Sequence, residues 1–181
     1  MYKRQGWIRF YKEPSQINYP VVQGEDNDLY LHKTFSANEN TLGAIFVDAA
    51  ASSDFTDKNT IIYGHRMKDG SMFRKLEEYK DKDFWKENPY FYIYTPDGKE
   101  ITYKIYSVGQ VLDTSDTYLT SFAGEEDYQK FLDMTMKEAD YDTGVKVTTD
   151  DTIVTLSTCT AASDEHRFVV RGVKEKEVEL Q

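Results

Sequence analysis

The chain has a single cysteine, Cys159, which closes the run Thr155-Leu156-Ser157-Thr158-Cys159; Arg167 follows eight residues later, and a Tyr63-Gly64-His65 tripeptide lies far upstream. A lone thiol makes no internal disulfide and lacks the partner cysteines of a zinc knot or a redox pair, so it is either packing or a nucleophile. The chemistry such a set would support is thiol acyl transfer. The thiolate attacks, an imidazole moves protons, and a guanidinium lowers the thiol pKa and donates hydrogen bonds to an anionic intermediate. Against this stands the usual fate of a free cysteine, a small buried hydrophobe. Arg167 has an ordinary alternative as a surface strand residue paired with Asp164 or Glu165. His65 has one as a residue packed at a turn, and neither His32 nor His166 sits in a motif. Residue chemistry alone leaves both readings of Cys159 open.

The elements that must position these residues read mainly as strands. Segments 44–47, 60–63, 90–94, 101–108, 145–147, 152–158 and 168–170 are short and rich in β-branched or aromatic residues, which makes about seven strands. Thr95-Pro96-Asp97-Gly98-Lys99 predicts a hairpin turn between two of them, with Pro presetting φ and Gly accepting the left-handed conformation. Helical signals are fewer. Residues 125–139 place Tyr128, Phe131, Leu132, Met136 and Ala139 on one face, with Glu125, Glu126 and Asp127 in a first turn that favours anions. Residues 71–79 are a second candidate with Ser71 as N-cap, and 83–87 add one more turn.

Strand alternation puts Ile153, Thr155, Ser157 and Cys159 on one face and Val154, Leu156 and Thr158 on the other, so the thiol shares the more polar face. Seven residues, Thr160 to His166, separate Cys159 from Arg167, and the flanking strands read as a hairpin with these two nearly opposite at its mouth. His65 falls at the end of a strand, where functional residues concentrate.

Length and composition set outer bounds. A chain of 181 residues fits one domain, 1–181, with a core that needs no staples. A net charge of −10 provides no basic field for counterion release and excludes nucleic acid as an expected partner. No stretch reaches the roughly 18 apolar residues of a membrane span. No loop has the regular ligand spacing of an EF-hand, so neither metal nor cofactor is expected, and the acidic residues read as a solvated surface.

The blocks Thr155–Cys159 and Arg167-Phe168-Val169-Val170, with Tyr63-Gly64-His65 upstream, resemble the signature of the sortases, the cysteine transpeptidases of Gram-positive cell surfaces. Residues 17–24, 26–27, 30–31, 43–48, 59–67 and 70–73, together with the 118–132 region, resemble class B block by block, from about Gly6 to the C-terminus. The resemblance implies a closed, mostly antiparallel eight-stranded β-barrel, with a long helix in the connection before the cysteine-bearing strand. It implies Cys159 as nucleophile, His65 as general acid and then base, and Arg167 as the residue that orients the substrate backbone and stabilises the oxyanion. Asn27, Leu31, Tyr63, Thr114, Tyr118, Leu119 and Ser157 match substrate-groove positions.

The implied partners are surface proteins or pilins with an Asn-Pro-x-Thr-(Asn/Gly) type of sorting signal, and a peptidoglycan precursor or pilin amine as acceptor. The enzyme is expected as a monomer on the outer face of the membrane, held by an N-terminal anchor preceding this segment. The 159–167 loop is short beside many class B members, which implies a more open acceptor side. Two other classes remain. One is a hydrolase that cuts without transfer, with Ser163, Asp164 and His166 as an imaginable triad crowded into one loop without a nucleophile elbow. The other is a catalytically silent binding barrel.

Overall fold

The computed structural model describes residues 3–34, 43–52, 54–159 and 165–181. In chain order its elements are β1 (Lys3–Arg9), β2 (Asn18–Gln23), β3 (Ile45–Val47), β4 (Asn59–His65), α1 (Lys82–Glu87), β5 (Tyr90–Tyr94), β6 (Lys99–Leu112), α2 (Glu125–Lys137), β7 (Ile153–Cys159) and β8 (His166–Glu179). Short 3₁₀ helices lie at Leu29–Leu31, Arg74–Lys80 and Asp116–Tyr118. The eight strands close a barrel in the order β1-β2-β3-β4-β7-β8-β6-β5. Pairing is antiparallel except between β2 and β3 and between β4 and β7. Closure leaves no free sheet edge among the described residues.

The expected hairpin joins β5 to β6: Thr95 N–H donates to Lys99 O at 3.0 Å, and Gly98 takes φ 88°. Six of the seven expected strands are present. The seventh, 145–147, is not a strand. Val145 packs against both core clusters and Val147 against the outer one, but their backbone joins no ladder. Instead Thr143 Oγ1 donates to Tyr106 O, and the Asp142 side chain accepts from Gly144 N–H. The barrel's remaining strands, β1 and β2, complete the count of eight.

The barrel interior is filled by Ile8, Val21, Ile62, Phe91, Ile105, Val154, Leu156 and Val170, among others, all essentially inaccessible to water. Helix α2 lies outside it, in the connection from β6 to β7, and buries Tyr128, Phe131, Leu132 and Thr135 against Tyr106, Ile153 and Val173. This is the i, i+3, i+4, i+7 stripe of an amphipathic helix. It differs from the expected face in its last turn. Thr135 turns inward and satisfies its hydroxyl with Leu132 O and Tyr106 OH, while Met136 is exposed.

The expected 71–79 helix is instead 3₁₀ and begins at Arg74, because Ser71 is held in a turn by Asp69, which accepts from both its N–H and its hydroxyl. No helix among the described residues is long and apolar enough to cross a membrane.

Candidate active site

β4 and β7 run parallel for their full seven residues, from Asn59 opposite Ile153 to His65 opposite Cys159. On the other side of β7, β8 runs antiparallel with Ser157 opposite Val169. Beyond that pair the ladder gives way to a side chain: Thr158 Oγ1 accepts from Phe168 N–H at 3.0 Å. Continued two residues further, the register brings Cys159 level with Arg167. Three adjacent strands therefore deliver His65, Cys159 and Arg167 to one end of the barrel wall, by register rather than by loop placement. The Cys159 side chain, and residues 160–164 with Ser163 and Asp164, lie outside the described part of the chain.

His65 is buried, at 5% exposure. Its Nε2 lies 2.5 Å from Leu31 O. A carbonyl oxygen only accepts, so Nε2 carries the proton, and Nδ1, on the opposite edge of the ring, is left to exchange one. Gly43 makes that approach fit. It sits at φ 64°, and a Cβ there would lie 2.8 Å from His65 Cδ2 and 2.5 Å from Tyr30 O. No side chain larger than hydrogen is accommodated.

Arg167 has a mostly buried side chain. Its Nη1 donates to His166 O at 2.9 Å, and Nη2 stands 4.0 Å from Asp113 Oδ2. It lines two clefts. The first, of about 320 Å³, is bounded by Asn27, Asp28, Leu31, Phe46, Tyr63, Asp113, Tyr118, Ser157 and Thr158. The second, of about 200 Å³, lies on the other side, with Arg66, Glu77, Lys80 and His166.

The larger cleft brings together five of the seven groove residues expected from the sequence. Tyr63 stacks on Phe46 at 5.2 Å and on Tyr118 at 6.2 Å, and Tyr118 OH meets Ser157 Oγ at 2.8 Å. Asp48 ties the far side together, accepting from Tyr63 OH at 3.0 Å and from Asn27 Nδ2 at 3.2 Å. Asn27 in turn accepts from Ala49 N–H. Thr114 and Leu119 belong to the same 113–119 segment but do not line the cleft; both are exposed. Sequence reasoning passed over Asp28, Phe46, Asp113 and Thr158 as lining, and Asp48 as a hub. The adjacency of Asp28 to Asn27 was the one available signal.

The polar face of β7 proves to be buried as fully as the apolar one. Thr155 and Ser157 are at 0% exposure, as are Val154 and Leu156. Segment 113–122 and α2 cover it, and its polar groups are satisfied internally: Thr155 Oγ1 donates to Asn59 Oδ1 at 2.8 Å. Fully buried Arg171, beside it on β8, has its pKa pressed down by that burial. In the smaller cleft, burial alone would raise the Glu77 carboxyl, but the hydrogen bond from Arg66, with the charges of Lys80, Arg66 and Arg74, outweighs it and holds Glu77 below the usual carboxylate range.

Comparison with known proteins gives this geometry a family. The sortase domain model matches residues 13–175. Sortase B of Listeria monocytogenes is 39% identical over 171 residues, 92% of this chain and 68% of that protein. Sortase B of Staphylococcus aureus is 35% identical over 161 residues, 88% of this chain and 64% of that protein, so the chain spans about two thirds of these relatives' lengths. A solved Staphylococcus aureus sortase B–substrate complex superposes with a TM-score of 0.88 at 30% identity, covering 97% of this chain and 80% of that one. With its family model, its relatives and its closed eight-stranded barrel in agreement, the chain belongs to the sortases, in class B.

Proposed function

We propose that residues 1–181 form one catalytic domain of a cysteine transpeptidase, which cleaves a sorting signal of the Asn-Pro-x-Thr type and joins the new carboxyl end to an amine of the cell wall or of a pilin. The observation that carries this reading is the register of β4, β7 and β8, which sets His65 and Arg167 on either side of Cys159. The signal lies in the cleft walled by Asn27, Leu31, Tyr63, Tyr118 and Ser157. The setting is the outer face of the membrane.

Cys159 thiolate attacks the Thr carbonyl carbon, and the oxyanion that forms takes hydrogen bonds from the Arg167 guanidinium. His65, as imidazolium, gives a proton to the departing amine as the C–N bond breaks, leaving a thioester. The neutral ring then removes a proton from the incoming amine. That amine attacks the thioester and releases the thiolate. No cofactor enters this cycle.

The test is incubation with Asn-Pro-x-Thr-(Asn/Gly) peptides, with and without an amine such as a short glycine peptide, followed by mass analysis. We expect a thioacyl adduct on Cys159, a ligated product with the amine, and neither from Cys159→Ala. Cleavage without ligation would favour a hydrolase, and unchanged cleavage by Cys159→Ala would overturn the assignment.

A further inference from the structure

The wall of the larger cleft that carries Tyr118 belongs to no sheet. Its one regular piece is the 3₁₀ helix Asp116–Tyr118, a single turn that makes too few backbone bonds to hold its own position. It is gripped from beneath. Asn59, at 0% exposure on β4, donates from Nδ2 to Thr117 O at 3.1 Å and to Leu119 O at 2.8 Å, and Thr155 of β7 orients its Oδ1. Arg171, at 0% exposure on β8, donates from Nη2 to Thr117 Oγ1 at 2.7 Å and from Nη1 to Ser107 Oγ at 2.9 Å, with Glu138 at 3.5 Å. Its Nε has no partner among the described residues.

A buried guanidinium is costly, and apolar residues of similar volume often stabilise a fold as well or better. Bulk stability is therefore a poor account of this cluster. What it provides is position. The three strands that hold the wall, through Asn59, Thr155 with Ser157, and Arg171, are the same three that carry His65, Cys159 and Arg167. Wall and reacting groups are thus referred to one rigid frame. We propose that Arg171 and Asn59 are positioning residues, a buried clamp that fixes segment 116–119 and so sets the cleft's fit to the donor peptide. This rests on the reading of that cleft as the donor site. Asn59 is six residues from His65 along β4, about 20 Å at about 3.3 Å per residue, so the clamp acts on the wall and not on the proton transfers.

Thr117→Val removes the hydroxyl that Arg171 holds at nearly constant volume, and Thr117→Ser keeps it. In Thr117→Val we expect the donor-peptide KM to rise about tenfold, with kcat and the rate of Cys159 alkylation by iodoacetamide within about twofold of wild type. Amide hydrogen exchange over 116–119 should quicken, and Thr117→Ser should restore both. Arg171→Met, if it folds, should repeat the Thr117→Val pattern. Unchanged KM and unchanged exchange in Thr117→Val would overturn the clamp. So would a joint fall of kcat, alkylation control and melting temperature, which would mark a structural role alone. Exchange is read without substrate, so a wild-type enzyme that turns over no sorting peptide would sink the functional reading while leaving the clamp tested.

Discussion

His65 and Cys159 stand level on adjacent parallel strands, the last pair of a seven-residue register. In a parallel ladder, paired residues fall on the same side of the sheet, so the register puts positions 65 and 159 on one side of the barrel wall. Leu31 O fixes which ring nitrogen exchanges a proton, since it accepts the hydrogen bond from Nε2–H. We expect ¹⁵N spectra to show His65 Nε2 carrying a proton directed at Leu31 O, and His65→Ala to lose about 10²–10⁴-fold in kcat/KM. Observation of the Nδ1–H tautomer would reverse the assignment of the proton-exchanging atom.

Arg167 borders both clefts, the one holding Tyr118 and the one holding Arg66, which fits its proposed role beside the reacting carbonyl. For Arg167→Ala we expect a loss of about 10²-fold or more in kcat, as for an oxyanion donor. Arg167→Lys should recover only part of it, because an ammonium lacks the planar fork. Steady-state kinetics with one donor peptide checks both, and full activity in Arg167→Lys would show that charge alone suffices.

The Tyr118–Ser157 hydrogen bond locks the outer cleft wall to β7. Tyr118→Phe keeps the ring stacked on Tyr63 and removes only the hydroxyl. The bond joins partly buried neutral groups, so its loss should cost about 1 kcal/mol, seen as a several-fold rise in donor KM with little change in kcat. A change confined to kcat would place the hydroxyl at the chemical step instead.

Residue chemistry left Cys159 open between packing and reactivity, and it was the blocks resembling the sortases that singled out Cys159, His65 and Arg167; hairpin spacing added that Cys159 and Arg167 fall nearly opposite, as the β7–β8 register has it. The barrel was legible where strands are β-branched. It was not legible at β2, whose Asn18-Tyr19-Pro20 start reads as a breaker although Pro20 pairs opposite Trp7, or at β1, where charges and a bulge between Arg4 and Gly6 break the alternation. Conversely Val145 and Val147 alternate like a strand but only fill space against the core. Asn59, Arg171 and Asp48 escaped notice for one reason. Each looks like an ordinary polar residue of a strand or its end, and its importance comes from partners distant in sequence, such as Thr117 for Asn59 and Arg171.

The strand expected over 60–63 runs on through Gly64 to His65. Packing explains the glycine: a Cβ there would lie 2.6 Å from Ile45 Cδ1 and 2.7 Å from the Phe73 ring. Gly64→Ala should therefore destabilise by about 1–3 kcal/mol through overpacking. Because the strain falls next to His65, kcat should drop as well. Urea denaturation together with kinetics tests this, and wild-type values in both would show that Ile45 and Phe73 yield freely.

Glu77 sits among Arg66, Arg74 and Lys80, with Arg66 Nε at 2.6 Å and a side chain only 20% exposed. Its carboxyl is held below the usual range in the fold, so as pH falls the unfolded chain takes up this proton first. The stability Glu77 contributes is present in full above the unfolded carboxylate value of about 4.3 and is lost as pH drops through the lower folded value. For one partly exposed ion cluster that contribution is roughly 1 kcal/mol. Urea midpoints of wild type and Glu77→Gln should differ at pH 7 in favour of wild type, and the gap should narrow as pH falls below the ordinary carboxylate range. A gap that stays constant down to pH values where Glu77 is protonated in both states would mean that shape, not charge, makes Glu77 fit beside Arg66.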